Sequence, residues 1–272
     1  MMKYNFFLLI VLNILMTSCS SNEDLYEDNT TVTINFNHYW GDSEIATTDY
    51  SNTEYTTENS DVVTINGLKY LISDIYIEND NSIITELSDY ILVNPIDEQN
   101  LTFSSENLLP DGTYDLYFRL GFSDEDNIED AYEDLNTEDF NLPDGFGDGY
   151  YYMQFDGEFY ANASDTTSDS STTTDFEYYM ARAVDNAGTD SATFEDTSFT
   201  IHILDIEVID HIATIEIKVD LAQWFTDPNL WNLTNWNSDL LSNAPAQREM
   251  TQNGDSVFSK IEEETDSDTT TE

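Results

Sequence analysis

The strongest constraint on the fold is an alternation of apolar and polar residues with a period of two. It is cleanest over residues 113–122, where Tyr, Leu, Phe, Leu and Phe alternate with Thr, Asp, Tyr, Arg and Gly. Successive side chains of a strand point to opposite faces, so this pattern predicts a half-buried β-strand. About ten such stretches, separated by turn residues, predict an all-β protein with an antiparallel, immunoglobulin-like β-sandwich.

Three further stretches refine this prediction. Residues 68–77 carry apolar side chains on both faces, which is typical of a central strand, and Asn66-Gly67 just before them predicts a tight turn. Residues 221–225 and 238–250 lose the alternation and predict short C-terminal helical segments limited by Pro228 and Pro245.

The charge limits the partners. The chain has 56 Asp and Glu against 7 Lys and Arg, a net charge of −49, yet it is 39% hydrophobic and 13% aromatic, enough to build a core. Nearly any face of such a protein repels phosphates, so nucleic acid is excluded as a partner. Cations, positively charged surfaces and neutral molecules remain. Because the acids concentrate in loops and in the tail, they are interpreted as a solvated coat.

The N-terminus predicts a lipoprotein leader. Lys3 precedes an apolar stretch, residues 6–16, that is shorter than the ~20 residues of a membrane-spanning helix. Met16-Thr17-Ser18-Cys19 resembles a bacterial lipobox. Residues 1–18 are therefore predicted to be a lipoprotein signal peptide, with Cys19 as the lipidated first residue of the mature chain. The alternative is an ordinary signal peptide followed by an incidental cysteine.

The residues that follow predict the location. Residues 19–30 are polar and are predicted to form a lipidated tether, in which Ser20 and Ser21 with the acids after them resemble the surface-export signal of Bacteroidetes lipoproteins. We expect an outer membrane lipoprotein of the cell envelope, for which this signal favours an outward-facing location and a periplasmic orientation is the alternative. A chain this acidic cannot bind a membrane through electrostatic attraction. The lipid on Cys19 is therefore predicted to be its anchor. Residues 261–272 are predicted to be a disordered acidic tail.

The sequence contains few features that indicate catalysis. The chain has 3 His and 1 Cys, and it lacks a G-x-S-x-G elbow, an H-E-x-x-H motif and a phosphate-binding glycine loop. A glycosidase needs two carboxylates at a set separation, and among so many acids no pair stands out. No catalytic residue is therefore predicted, and the protein is expected not to be an enzyme.

His38 is the histidine whose position is most informative. It continues the inward-facing series Val32, Ile34 and Phe36, and Trp40 follows it. One interpretation is a hydrogen-bonded histidine in the core or at its rim. The other is a metal ligand, because imidazole suits copper or zinc.

Short stretches along the chain carry a family resemblance, and in order they are residues 33–38, 68–75, 112–122, 149–157, 220–228 and 253–258. Together they resemble the MbnP-like family of periplasmic or lipid-anchored β-sandwich proteins associated with copper binding. The resemblance implies an MbnP-like β-sandwich domain over residues 31–260 and copper as the cofactor.

The family's copper chemistry is linked to His ligands and, in some members, to an oxidised Trp. His38 is the position that carries over, whereas residues 142–148 lack the family's Trp and Tyr179 stands where the family has His. Next to it, Met180 offers a soft thioether for Cu(I). The resemblance thus implies a metal site at His38. Met180 joins it as a candidate ligand because it adjoins Tyr179, and Tyr179 and Trp40 are supporting residues or replaced ligands.

Two functions remain open. The protein binds or handles copper in the envelope, or it is a non-metal cell-surface interaction or glycan-binding lipoprotein with a degenerate metal site. Convergence of His38, Tyr179 and Met180 on one point would favour copper.

Overall fold

The structure, a computed structural model, describes residues 29–160 and 172–262. In chain order its strands are β1 (Thr30–Trp40), β2 (Ser43–Glu44), β3 (Glu54–Thr56), β4 (Val62–Asn79), β5 (Ile84–Val93), β6 (Thr102–Asn107), β7 (Gly112–Leu120), β8 (Met153–Tyr160), β9 (Thr174–Met180), β10 (Ala183–Asp185), β11 (Thr193–Glu195), β12 (Phe199–Val208), β13 (Ile212–Asp220) and β14 (Phe258–Lys260). The helices are α1 (Glu133–Thr137) and α2 (Ala244–Gly254), with 3₁₀ turns at Thr47–Asp49, Leu221–Phe225 and Leu240–Ser242. Within these residues no helix has the length and apolarity needed to cross a membrane.

The strands form two large sheets and one small pair. The smaller of the two large sheets has the strand order β14-β13-β1-β2, and β6 also pairs with β1. The larger sheet has the order β12-β7-β4-β8-β9, and β3 and β5 also pair with β4. Every described pairing is antiparallel except that of β1 with β13, which is parallel. The all-β sandwich is confirmed, but with a mixed sheet in place of a purely antiparallel one. Its immunoglobulin-like topology is not confirmed.

The core lies between the two sheets. Along β1 buried and partly exposed residues alternate without interruption, which puts Val32, Ile34 and Phe36 on the inner face. The Phe36 ring meets those of Tyr70 and Phe118 across the core, at centroid distances of 6.3 and 6.1 Å. The two sheets therefore pack face to face, as their alternation requires.

Strand β4 is the centre of the larger sheet. It pairs with β3 and β8 along its first half and with β5 and β7 along its second, so both of its edges are covered. Tyr70 and Leu71 are both buried although they face opposite sides, which confirms a central strand. The turn predicted at Asn66-Gly67 is wrong, because β4 runs straight through it. Gly67 instead allows the Asp156 carboxylate of β8 to lie where a Cβ would stand.

The outer face of the larger sheet is partly covered by the acidic excursion, which we define as residues 123–148. It contains α1 and helps to bury a second hydrophobic cluster on this face, with Leu71, Phe122, Phe140 and Tyr150 among its members. The predicted C-terminal helical segments are confirmed at Leu221–Phe225 and in α2.

The signal peptide, Cys19 and the tether as far as residue 28 lie outside the described residues, as does the tail from residue 263. The boundaries drawn for these segments and for the domain at 31–260 stay predictions.

Candidate functional site

His38 lies on the inner face of β1 and points into the core. It is 5% exposed, and its Nε2 lies 3.0 Å from the Tyr70 hydroxyl of β4 across the sandwich. Burial lowers the pKa of His38 from 6.5 to about 3, because the charged imidazolium would lose its hydration. The imidazole is therefore neutral at physiological pH, and the His38–Tyr70 pair is a polar contact within an apolar interior.

A second phenol lies near this pair. Tyr50 is 6% exposed, and no described group forms a hydrogen bond with its hydroxyl. Burial raises the pKa of Tyr50 and of Tyr70 well above 10, so both are neutral. The two phenols near His38 are thus neutral polar groups, as is the imidazole itself.

Met180 and Tyr179 lie on opposite faces of β9. Met180 is fully buried on the inner face and pairs with Met153 of β8, which pairs in turn with Tyr70 of β4. It is therefore two strand spacings, about 10 Å, from the Tyr70 backbone. The Tyr179 ring packs against Tyr151 in the cluster of the outer face. The structure thus puts His38 and Met180 in one core but separates Tyr179 from both.

Trp40 shares the inner face of β1 with His38 and packs at the end of the core. Its ring stacks on Tyr55 at 5.0 Å, its Nε1 donates to the Thr56 carbonyl at 3.1 Å, and Phe225 lies beside it. The ring is therefore packed on its neighbours and its single N–H donor has a partner. Packing in the core explains the position of Trp40 without a ligand.

The other histidines lie elsewhere. His202 stacks on Tyr117 at 4.2 Å and bonds to Asp115 on the surface, and His211 lies in a turn with its Nδ1 3.4 Å from the Thr30 hydroxyl. In the described part of the chain no three His, Cys, Asp or Glu side chains come together to hold a metal. With one interior imidazole, already engaged by Tyr70, these residues do not fit a preformed copper site.

Ordered contacts hold the acidic excursion on the larger sheet. Asn127 is buried, accepting from the Tyr150 N–H at 2.7 Å and donating to the Tyr150 carbonyl at 3.4 Å. Arg182 donates to the carbonyls of Gly147 at 3.0 Å and Asn127 at 3.2 Å. Sequence reasoning did not identify Arg182. Its rarity was the available signal, since it is one of 7 basic residues in the chain.

The space between the acidic excursion and β5 forms a groove, which we call the Tyr90 groove. Its main cavity has a volume of about 610 Å³ and is lined by Ser88, Asp89, Tyr90, Ile91, Leu92, Gln99, Asn100, Asp134, Thr137 and Glu138. Tyr90 and its two preceding neighbours also line an adjoining cavity of about 280 Å³, together with Phe122 and Tyr132. Sequence reasoning missed this groove, because no motif marks it.

Two contacts fix the wall of the Tyr90 groove. The Tyr90 hydroxyl donates to Asp134 of α1 at 2.6 Å, and Lys69 of β4 binds Glu138 at 2.9 Å. Burial of the ring, followed by its bond to Asp134, raises the pKa of Tyr90, so the phenol keeps its proton. The groove therefore has a defined shape, with the Tyr90 ring held where it lines both cavities.

The fold and site together define a two-sheet β-sandwich domain with a sealed histidine in its core and an open polar groove on one face. The family model described as MbnP matches residues 29–243, and the chain belongs to that family. Among solved structures, MbnP from Methylosinus trichosporium shares the fold, with a TM-score of 0.52 at 11% identity over 86% of this chain and 98% of that one. No curated protein matches the sequence.

Proposed function

We propose that this member of the MbnP family is a lipid-anchored, non-enzymatic binding protein of the cell envelope that takes a glycan in the Tyr90 groove. Its anchor is the lipid on Cys19, and it faces outward from the outer membrane, as in Bacteroidetes lipoproteins. The observation that carries the proposal is a contrast within the fold. The interior histidine is engaged and sealed, while a cavity of about 610 Å³ lies open outside the core and is lined by both polar and apolar side chains.

The lining of the Tyr90 groove suits a polyhydroxylated ligand. Gln99, Asn100 and Thr137 supply amide and hydroxyl groups, and Asp89 supplies an acceptor for sugar hydroxyls. Tyr90 supplies an aromatic surface of the kind on which the apolar face of a sugar packs. The volume of about 610 Å³ lies in the range of ligand sites, with space for one or two sugar rings.

A glycan array probed with the full chain, purified in detergent, tests this function. We expect Tyr90→Ala to lose binding to the glycans that the wild type retains. Tyr39→Ala is the matched control, because Tyr39 is also partly exposed but lies on the outer face of β1 in the other sheet, with the Lys218 ammonium 5.3 Å from its ring, and lines neither cavity of the groove. Failure of the wild type to bind any glycan, or equal loss in both variants, would contradict the proposal.

The anchor has its own test. Replacing Cys19 with serine removes the acylated thiol but leaves the charge of the chain unchanged. We expect the protein to move from the membrane fraction to the soluble fraction, because one lipid-bearing residue is its only hold on the bilayer. Retention of Cys19→Ser on membranes would show another means of attachment.

Copper handling is the second candidate function, and the state of His38 favours it. A ligating histidine must be unprotonated, and burial already keeps His38 neutral in the same core as Met180. Binding would require the Tyr70 hydroxyl to release Nε2. A copper titration of wild type, His38→Ala and Met180→Leu decides the matter: uptake lost in both variants supports copper, and uptake equal in all three points to the surface carboxylates.

A further inference from the structure

We propose that the adjoining cavity of the Tyr90 groove binds a protonated alkyl amine, so that the ligand is an amino sugar in place of a neutral glycan. This inference rests on the proposed function and deepens it. The cavity, about 280 Å³ in volume, shares Ser88, Asp89 and Tyr90 with the main one. Its lining combines aromatic rings with carboxylates.

The aromatic part is a corner made of three packed rings. Phe122 and Tyr132 stack at a centroid distance of 4.6 Å, and Tyr90 meets them at interplanar angles of 73° and 68°. Phe122 lies beneath the other two, so the partly exposed rings of Tyr90 and Tyr132 present the aromatic surface to the cavity, and such rings attract an organic cation through their quadrupoles. The contacts with Phe122, which is 3% exposed, anchor this corner to the buried cluster beneath it.

The carboxylates surround this corner and leave it strongly negative. Asp74, Glu86, Asp89 and Asp126 line the cavity, and of these only Asp74 forms an ion pair within the described chain, with Arg119 at 2.9 Å. No Lys or Arg lines either cavity of the groove. Burial, together with the negative charges of Asp126, Asp89 and Asp74, raises the pKa of Tyr132. The field at the rings thus favours a cation and repels an anion.

The arrangement suits an organic ammonium better than a metal ion. A metal needs its oxygen ligands to converge on one point at about 2–2.6 Å, and no three described acids do so. Here the carboxylates are distributed around the rings, so they match a wider cation that also has apolar surface. An amino sugar meets both cavities, because its hydroxyls suit the main one and its ammonium group the adjoining one.

The experiment compares glucosamine oligomers with their N-acetylated counterparts by calorimetry on the full chain in detergent. Acetylation removes the charge and keeps the sugar ring, so we expect the amino form to bind about tenfold more tightly at low salt, with the preference shrinking as salt rises. The double variant Asp89→Asn with Asp126→Asn should reduce that preference to about twofold. Both residues are exposed, so the variant is expected to fold.

The matched control is Asp190→Asn with Glu207→Gln, which removes the same charge from exposed sites outside the groove. It should leave the preference unchanged, and an equal loss in both variants would overturn the inference in favour of general attraction to an acidic surface. Equal binding of both oligomers would contradict the proposed recognition of an amine but would still support a glycan site. Binding of neither would overturn the proposed function itself. A lysine-rich peptide that binds as tightly as the amino oligomer would overturn the sugar in favour of a protein partner.

Discussion

Two tyrosines of the larger sheet make the same kind of bond in opposite surroundings. Tyr70 of β4 is 1% exposed and meets His38 inside the sandwich, whereas Tyr90 of the neighbouring strand β5 donates to Asp134 at the edge of an open groove. In the interior His38 and Tyr70 are both neutral and contact each other. In the groove carboxylates remain without an ion-pair partner. The difference shows that a ligand site needs polar groups that are still free to bind and a path from the solvent to reach them. The interior of this sandwich lacks such a path.

The largest expected effect is a difference in how much side-chain packing in the core and in the groove contributes to stability. Phe155 of β8 is fully buried and packs its ring against Phe176 at 5.5 Å and Phe225 at 5.7 Å. Phe155→Ala should lower the free energy of unfolding by about 3–5 kcal/mol. Tyr90→Ala, at the half-buried groove, should lower it by about 1–2 kcal/mol. Urea unfolding of both variants measures the difference, and equal losses would mean that the groove belongs to the core.

The second prediction uses pH to mark His38 as interior. Burial lowers the pKa of His38 from 6.5 to about 3. On acidification, His38 therefore becomes protonated near pH 6.5 in the unfolded chain but only near pH 3 in the folded chain. The stabilising contribution of neutral His38 is thus present above pH 6.5 and is lost as the pH falls toward 3. Between pH 6.5 and 5 the loss is about 2 kcal/mol.

The measurement is urea unfolding at several pH values for wild type and His38→Gln. Glutamine does not titrate, so the variant should lack this part of the pH dependence. His202→Gln is the control, because His202 lies on the surface beside Asp115. If His38→Gln and wild type lose stability in parallel from pH 6.5 to 5, His38 is not sealed in the folded protein.

The third prediction weakens the interior pair without making a large cavity. Tyr70→Phe removes the hydroxyl that engages His38 Nε2 and leaves the buried nitrogen without that partner. We expect a loss of about 1–2 kcal/mol in the free energy of unfolding. The same variant frees Nε2, so copper uptake that rises in Tyr70→Phe above wild type would show that the hydroxyl blocks a latent site. A variant as stable as wild type would show that the contact contributes little.

Local patterns predicted much of the fold because they depend on neighbouring residues. The alternation that ends at His38 placed it on the inner face. In β12 the apolar series Phe199, Ile201 and Ile203 changes phase to Ile206 and Val208, and the register shifts at the same point, between Ile203 and Ile206. The same period of two puts Tyr179 and Met180 on opposite faces. The Asn66-Gly67 prediction failed because β4 pairs along both edges, and tertiary pairing overrode the local turn preference.

Long-range features could not be predicted in this way. The parallel pairing of β1 with β13 joins strands from the two ends of the domain, and no local pattern encodes that partner. The Tyr70 hydroxyl meets His38 only because two sheets face each other. The Tyr90 groove depends on α1 folding back over the sheet, where the sequence shows only an acidic excursion.

The smallest expected effect tests whether the groove wall is independent of the core. Tyr90→Phe keeps the ring but removes its bond to Asp134, while Lys69 still holds Glu138 at the end of α1. The bond lies at a half-exposed site, so global stability should fall by only about 0.5 kcal/mol. Hydrogen exchange should instead increase locally in α1 and leave β4 and β8 protected, because the helix can open without the sandwich. Faster exchange throughout both sheets would mean that Tyr90 helps to hold the core, and the distinction between sealed interior and open groove would then fail.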